Sequence, residues 1–355
     1  MRGCAEGWRC KACSPPQPDC RVVAVCDTNG EVARAAAARV GAVTYEEYEQ
    51  FLQHELDVVV VATPVSTHAR YVIAALERGC HVLGEVPLAD SIEECRAVAT
   101  TVERTGRQYM LAENMCFMPY LDAWKAFLAA GRLGEVFYAE AEYLHGGRTP
   151  RSSNEPPTWR TGRPPILYPT HSLGPLLELL GDHCVSATGM GAAGPVARDR
   201  GWFDAEVALL RTGKGTLIKL LRGTGIVREP MLHYFVLYGT AGTIETRREG
   251  TGFLGFRGFF ADVPHLQGMI DFPITDRHPA VPGVGGGHGT WEQVMIPAFV
   301  QALQREERVP IDVYRAADFT VPGIIAHASA LQGGTPLDVP DLREEGYSQT
   351  AMGST

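Results

Sequence analysis

A tyrosine and a histidine three residues apart are the side chains of this chain best suited to proton chemistry. Tyr168 and His171 stand in segment 167–175 (LYPTHSLGP), where Pro169 suits the first turn of a helix. A helical start would place both side chains on one face. A phenol beside an imidazole can exchange protons near neutral pH, so the pair is a candidate general acid/base. The alternative interpretation is a capped helix that carries a buried histidine.

The first third of the chain supplies the elements that must position a ligand for such a pair. Apolar runs at 22–26, 57–62, 81–84 and 108–112 alternate with helical segments. Continuous apolar strands of this kind are buried on both faces, which predicts a parallel, Rossmann-like sheet with helices on each side. Ligands of such sheets bind beyond the carboxyl ends of the strands. The loops that follow these runs are therefore candidate ligand contacts.

Asp27 ends the first of these runs. An acidic residue at the end of the second strand of a dinucleotide fold accepts hydrogen bonds from the adenosine ribose and repels a 2′-phosphate. Thr28 and Asn29 follow, with no arginine to receive that phosphate. The pattern favours NAD over NADP. The alternative is an ordinary aspartate in a turn.

The first twenty residues depart from a dinucleotide-binding domain, which opens with a buried strand and a Gly-x-Gly-x-x-Gly turn. Gly3 stands where the third glycine of that turn would fall, and we expect it to contact the cofactor. The first strand and the other two glycines of the turn are missing. Either the start codon is misplaced or the phosphate site is damaged.

Four cysteines in the same segment raise the alternative of a zinc site. Their spacing is too short for the usual two-knuckle arrangement, so we expect a surface segment and no metal. The residues are Cys4, Cys10, Cys13 and Cys20.

Bulk composition excludes several classes of protein. The length of 355 residues predicts two domains that share a cleft. A net charge of −9 without a long basic run argues against nucleic acid as a partner. No run of about 18 apolar residues and no signal sequence occur, so we expect neither a membrane partner nor export. The nine cysteines show no pairing pattern, which fits the cytoplasm.

The domain boundaries follow from these patterns. We expect a Rossmann-like domain at 1–117 with its first strand and glycine turn missing, including a helix at 46–56. A second α/β domain at 118–340 should surround a large, mostly antiparallel sheet, since 135–144 alternates as a strand. A tail occupies 341–355.

Several motifs together resemble one family. They are Thr-Pro-x-x-x-His at 63–68, Glu-Val-Pro at 85–87, LYPTHSLGP at 167–175, and Gly-Gly-His-Gly at 286–289 followed by a helix and PIDVYRAA at 310–317. From about residue 21 to 342 the chain resembles the sugar oxidoreductases of the Gfo/Idh/MocA family (glucose–fructose oxidoreductase and inositol dehydrogenase). Its motifs are most similar to the branch called glycoside hydrolase family 109.

That resemblance implies roles for residues beyond the phenol–imidazole pair. Thr63, Pro64 and His68 would line the ribose of the nicotinamide, and Glu85, Val86 and Asn114 would also contact NAD. The sugar would be held by Glu113, Tyr143, Arg160 and Thr170, with Tyr168 and His171 as the catalytic residues. Relatives also imply a homo-oligomer, either a dimer or a tetramer.

Val86 decides which activity the resemblance implies. Dehydrogenases of the family usually carry Glu-Lys-Pro here, and the lysine assists proton transfer at the reacting hydroxyl. Because valine cannot carry a proton, we expect a redox-assisted glycosidase that uses NAD without net oxidation. Two alternatives stay open: a sugar or inositol dehydrogenase that uses His171 instead of the lysine, and a non-catalytic sugar-binding or scaffold protein with a damaged NAD site.

Overall fold

The fold is described from a computed structural model. It covers residues 20–344, apart from 148–161, 195–196, 199–200, 250–254 and 275–287. Gly3, Arg160 and the glycines at 285–287 lie outside the described residues, as do Cys4, Cys10 and Cys13.

The first part of the chain forms two parallel sheets with helices packed on them. Strands β1 and β2 pair in one sheet, and the second sheet has the order β3-β4-β5. Strand β1 is the strand expected directly ahead of Asp27, and residues 1–19 lie outside the described residues. The elements are β1 Ala24–Cys26, α1 Gly30–Val40, β2 Val43–Tyr45, α2 Tyr48–Phe51, β3 Val58–Val61, α3 His68–Glu77, β4 His81–Gly84, α4 Ile92–Thr105 and β5 Tyr109–Leu111.

Capping residues explain where two of these helices begin. The side chain of Asn29 accepts hydrogen bonds from the backbone at the start of α1, and Ser91 accepts one from the N–H of Glu94 at the start of α4. Glu94 in turn accepts a bond from the N–H of Asp90. The pair is a variant of a capping box, with the return bond made to the residue before the cap.

The predicted helix at 46–56 is wrong in length. Only α2, Tyr48–Phe51, is helical. Leu52 ends the helix, and the backbone N–H of Gln53 turns back to the carbonyl of Gln50. The phenol of Tyr45 lies 3.0 Å from Nδ1 of His54, which keeps the chain close to β2 before β3 begins. A local side-chain contact thus overrides helix propensity here.

The second part of the chain is built on a nine-stranded sheet of order β13-β12-β11-β10-β6-β9-β8-β7-β14. Only β6 and β9 are parallel neighbours, and the other pairs are antiparallel. The strands are β6 Val136–Gly147, β7 Cys184–Ala192, β8 Ala205–Thr212, β9 Leu217–Val227, β10 Leu232–Gly239, β11 Gly242–Thr246, β12 Gly255–Phe260, β13 Ile270–Pro273 and β14 Leu337–Asp338.

Helices cover one face of this sheet and bring the two parts together. They are α5 Pro119–Ala129, α6 Thr170–Leu180, α7 His288–Gln304 and α8 Val313–Leu331. The backbone N–H of Leu111 on β5 donates to the carbonyl of Ile311, just before α8, over 2.9 Å. In the loop after β4, the N–H of Leu88 donates to the hydroxyl of Thr320 on α8 over 3.1 Å. The carboxyl ends of β4 and β5 are thereby fixed against the second sheet's helices.

Within the part of the chain that the structure describes, no helix has both the length and the apolar character needed to cross a bilayer.

Candidate active site

Three side chains form a hydrogen-bonded chain at the junction of the two parts. Nδ1 of His171 lies 2.7 Å from Oε1 of Glu113, and Nε2 lies 3.3 Å from the phenol oxygen of Tyr168. Glu113 is fully buried, and His171 is 4 % exposed. Because a carboxylate can only accept, Nδ1 carries a proton and donates it, which leaves Nε2 of the neutral ring as the acceptor for the phenol.

The local sequence explains how these residues meet. Glu113 follows β5 and caps the short 3-10 turn Asn114–Phe117, accepting a bond from the N–H of Met115. His171 lies in the first turn of α6, and Tyr168 immediately precedes the helix rather than lying in it. The sequence predicted both residues on one helical face. The structure brings them together across the turn that enters α6.

Gly174 makes the close approach between α6 and Glu113 feasible. A Cβ at this position would lie 3.2 Å from Cγ of Glu113 and 3.1 Å from the ring of Phe319. The glycine is one helical turn after His171, so it lies beside the carboxylate that His171 bonds. Because Gly174 has no side chain, α6 can lie close enough to Glu113 for His171 to bond it.

Oε2 of Glu113 has no hydrogen-bond partner among the described residues. Its other oxygen holds both His171 and the backbone of Met115. The hydrogen bond from Nδ1 to this carboxylate fixes the orientation and tautomer of the imidazole. The arrangement is that of a base oriented by a buried acid. The resemblance also assigns Glu113 to the sugar, and that assignment stays a prediction.

A row of polar side chains across the large sheet faces this pair. His233 on β10 is in register with Tyr143 on β6, Tyr143 with Arg222 on β9, and Arg222 with Glu206 on β8. All four are at least 93 % buried. The ring of Tyr143 lies 4.0 Å from that of His233 and 5.9 Å from that of His171.

Arg222, His233 and Glu206 were missed by sequence reasoning, although a signal exists. Ile218 and Leu220 are fully buried at alternate positions of β9, so Arg222 continues their inward-facing register. A charged residue in the apolar phase of an alternating strand indicates a buried charge rather than a solvated one.

An ion pair ties the loop before Tyr168 to the loop after β4. Nη2 of Arg163 lies 2.5 Å from Oδ1 of Asp90 and 3.3 Å from the carbonyl of Leu167. Burial lowers the pKa of Arg163, while Asp90 opposes that effect. Because Leu167 precedes Tyr168, the pair fixes the approach of the chain to the phenol.

The residues predicted to contact the cofactor line the carboxyl edge of the parallel strands. Val86 is 3 % exposed, in the loop after β4. His68 has Nδ1 2.8 Å from the carbonyl of Pro87 and Nε2 2.7 Å from that of Thr63. Burial is the largest influence on His68 and lowers its pKa, and the two carbonyls oppose it. The imidazole therefore joins the loop after β3, with Thr63 and Pro64, to the loop after β4.

Two further predicted site residues are enclosed between helices. The side-chain amide of Asn114 donates to Oε1 of Glu292 on α7 over 2.8 Å, and both residues are at least 99 % buried. Thr170 is fully buried, and its hydroxyl has no hydrogen-bond partner within the described ranges. Glu292 had no role assigned from the sequence. The contacts of Asn114 with a cofactor and of Thr170 with a sugar stay predictions.

The residues present at this edge fit NAD. Asp27 is 2 % exposed at the end of β1, and one carboxylate oxygen accepts the N–H of Asn29 over 2.8 Å. Segment 27–30 contains no cationic side chain for a 2′-phosphate. Glu85 stands at the end of β4, in the place where nicotinamide-binding folds hold the reactive ring beyond the strands. The diphosphate-binding segment lies outside the described residues.

Among the described residues, no group of three or more histidine, cysteine, aspartate or glutamate side chains is arranged to hold a metal ion.

A carboxylate–imidazole–phenol chain joins the carboxyl edge of the parallel strands to the large, mostly antiparallel sheet. This arrangement is typical of a dinucleotide-dependent enzyme. Residues 8–113 match the Gfo/Idh/MocA profile, described as an oxidoreductase family with an NAD-binding Rossmann fold. Residues 207–349 match the C-terminal domain of glycosyl hydrolase 109. The two matches support placing this chain with the Gfo/Idh/MocA oxidoreductases, in their glycosyl hydrolase 109-like branch, as an enzyme with NAD as its cofactor.

Two relatives named as glycoside hydrolases are similar to this chain. A glycosyl hydrolase family 109 protein of Shewanella sp. (strain W3-18-1) is 27 % identical over 90 % of this chain and 79 % of its own length. An alpha-N-acetylgalactosaminidase of Shewanella oneidensis is 27 % identical over 83 % of this chain and 71 % of its own length.

Solved structures share the fold at lower identity. An oxidoreductase domain protein from Kribbella flavida has a TM-score of 0.78 at 20 % identity, covering 90 % of each chain. A levoglucosan dehydrogenase in complex with NADH and L-sorbose has a TM-score of 0.77 at 22 % identity, covering 91 % of each chain.

Gly174→Ala should destabilise the protein, although alanine normally favours a helix. The new methyl group meets Glu113 and Phe319, neither of which can move away freely inside the core. We expect a loss of about 1–3 kcal/mol in the free energy of unfolding, measured by urea denaturation. Gly30→Ala in α1 is the control, because its methyl group meets the flexible side chains of Glu46 and Arg34. Equal stability of the Gly174→Ala and parent proteins would contradict the packing described.

Proposed function

We propose that this enzyme hydrolyses glycosides through a redox-neutral elimination and addition. The observation that carries the proposal is the buried Glu113–His171–Tyr168 chain, next to a cofactor edge where Val86 replaces a proton-carrying lysine. The similarity to glycosyl hydrolase family 109 proteins supports it. Sugars also occur as ligands of the levoglucosan dehydrogenase that shares this fold.

When bound, NAD supplies reversible removal and return of a hydride at C3 of the sugar. A carbonyl at C3 makes the proton on C2 acidic, so a base near neutral pH can remove it. Tyr168 is the base in this proposal, after its own proton passes to Nε2 of His171. Glu113 stabilises the imidazolium that results.

Elimination then breaks the bond from C1 to the aglycone. The electron pair of the former C2–H bond forms the C1–C2 double bond, and the aglycone leaves with the C1–O electron pair. The imidazolium of His171 is the nearest proton source for that oxygen. Water adds to C1 and a proton returns to C2, so the overall reaction is hydrolysis.

Tyr143, from the row across the large sheet, would contact the sugar. Tyr143 presents its ring beside His171, and His145 at the end of β6 lies 5.8 Å from Tyr143 between ring centroids. Arg160, which the resemblance implies as a sugar contact, lies outside the described residues. Val86 shapes the nicotinamide pocket as a buried apolar surface.

Purified protein with NAD should release nitrophenol from an aryl glycoside without accumulating NADH. The α-N-acetylgalactosaminide is the first of a panel to test, given the named activity of one relative. Both products are followed by absorbance in the same cuvette. Steady NADH accumulation without nitrophenol would instead support the sugar or inositol dehydrogenase. Absence of both, in protein that also fails to bind NAD, would support the non-catalytic alternative.

Variants of Tyr168 and Glu113 test their roles in this assay. Tyr168→Phe and Glu113→Gln should each lower kcat by about 100-fold or more, because proton transfer contributes on that scale. Glu178→Gln is the matched control on α6, since Glu178 pairs with Arg315 on α8 and is not part of the Glu113–His171–Tyr168 hydrogen-bonded chain. A kcat within about twofold of the parent for Glu113→Gln would contradict the assignment.

We also propose that a second copy of this chain covers the outer face of the large sheet. Met190, Val207 and Leu209 on adjacent strands are 69 %, 38 % and 43 % exposed. Contiguous exposed apolar side chains of this kind mark interaction surfaces. Sedimentation velocity should show a dimer or tetramer, and Leu209→Lys should shift it towards monomer. A monomeric parent protein at micromolar concentration would contradict this proposal.

A further inference from the structure

Arg222 is a buried cation, and Glu113 is the carboxylate that acts on it electrostatically, without a close ion pair between them. The residue is 4 % exposed, and among the described residues it forms no ion pair. Its nearest polar contacts are long: Nη1 lies 3.4 Å from the hydroxyl of Ser172, and Nε lies 3.5 Å from the carbonyl of Pro165. Burial lowers the pKa of Arg222 to about 10, so the guanidinium is still protonated at neutral pH. Burying such a charge unpaired is unfavourable unless its neighbours compensate.

The compensating neighbours are two tyrosine rings. The guanidinium carbon lies 4.1 Å from the ring centroid of Tyr143 and 5.6 Å from that of Tyr168. His233 packs on the same Tyr143 ring from the next strand, at 4.0 Å. The row therefore holds Tyr143 between an imidazole and the guanidinium, and Arg222 in turn lies between Tyr143 and the proposed base.

A cation beside an aromatic ring favours the ionised phenol over the neutral one. The attraction of a cation to a ring face comes from the electron density of that face. Ionisation of a phenol spreads negative charge into the ring, so the attraction increases when the proton leaves. An opposite charge within about 4–6 Å shifts a titration in the same direction.

We propose that Arg222 is a positioning residue that holds Tyr168 ready to accept a proton. This inference rests on the proposed function, in which Tyr168 is the base. When the phenol proton moves from the oxygen of Tyr168 to Nε2 of His171, a phenolate and an imidazolium form. Arg222 stabilises the phenolate at one end, and Glu113 stabilises the imidazolium at the other. No charge is created overall, because one proton is transferred within the pair.

Other charged groups approach Tyr168 from each packed element, and their partners limit their influence. His171 approaches from α6 and is bonded to Glu113. Arg163, from the preceding loop, is paired with Asp90. One carboxylate oxygen of Glu206 on β8 accepts the N–H of Ile166 over 3.0 Å, and the other lies 2.7 Å from Nδ1 of His327. Arg222 is the arginine near Tyr168 that forms no close ion pair among the described residues.

Ser172 belongs to this arrangement through its hydroxyl. It directly follows His171 in the first turn of α6. Its Oγ is the side-chain acceptor for Nη1 of Arg222, and Ser172 is 1 % exposed. The serine thus directs the guanidinium towards the turn that carries Tyr168.

The test is the titration of Tyr168 in protein labelled with ¹³C at the tyrosine ζ carbon, without NAD or substrate. The Tyr168 resonance is assigned by its loss in Tyr168→Phe. In the parent protein we expect ionisation below the pH of about 10 at which free tyrosine ionises. Arg222→Met should raise the midpoint by about one pH unit or more, and Arg222→Lys should restore much of the difference. Arg222→Gln serves if the methionine variant does not fold.

Lys219→Met is the matched control, since Lys219 is a cation of the same strand that pairs with Glu140 on the outer face. It should leave the Tyr168 midpoint unchanged. A parent midpoint at or above that of free tyrosine, or no change in folded Arg222→Met and Arg222→Gln, would overturn the proposal. Because the titration needs no turnover, it fails or succeeds independently of the glycosidase assay. Where turnover occurs, the rising limb of kcat against pH should move with the midpoint in the same variants.

Discussion

The hydrogen bond of 2.7 Å between Glu113 and His171 is the contact on which the site depends. It joins the end of the last described parallel strand to the first turn of α6, so it lies on the boundary between the cofactor-binding and sugar-facing parts. The carboxylate is fully buried, which makes its interaction with the imidazole strong and the loss of that interaction costly. Gly174 permits the approach, and the turn into α6 then carries Tyr168 to the other side of the imidazole.

Contacts around this bond keep both sides of the cleft in one arrangement. Leu88 is bonded to Thr320, and β5 is bonded to the segment before α8. The Asp90–Arg163 pair connects the loop of Val86 to the loop of Tyr168. A catalytic geometry must be held within fractions of an ångström, and such cross-connections between rigid elements achieve this. A change at the cofactor edge therefore reaches the proposed base through a short path of bonded groups.

The sequence predicted much of the fold because its signals are local. Runs of apolar residues that alternate with helical segments predicted the parallel strands and their helices. The helix predicted at 46–56 is shorter in the structure, because the chain leaves α2 at Leu52. Motif resemblance singled out Tyr168 and His171. It did not reveal that Glu113 bonds His171 across 58 residues, since spacing along the chain carries no information about that contact.

The residues hardest to predict were those that meet only because neighbouring strands of the large sheet are in register. Arg222, His233 and Glu206 are brought together with Tyr143 only when four strands align. Each strand alone shows a polar residue in an inward-facing phase, but which strands neighbour each other is a property of the whole sheet. The assignments of Asp27, Thr63, Pro64, Glu85 and Asn114 to the cofactor stay predictions, as do those of Gly3 and Arg160.

The most direct test of redox-neutral elimination is the fate of the hydrogen at C2 of the sugar. A glycoside that the enzyme cleaves is incubated with NAD and enzyme in D₂O, and the released sugar is examined by proton NMR. If Tyr168 removes the C2 proton and a solvent-derived proton returns, the product should carry deuterium at C2. Complete retention of hydrogen at C2 in the released sugar would contradict the mechanism and point to direct displacement at C1.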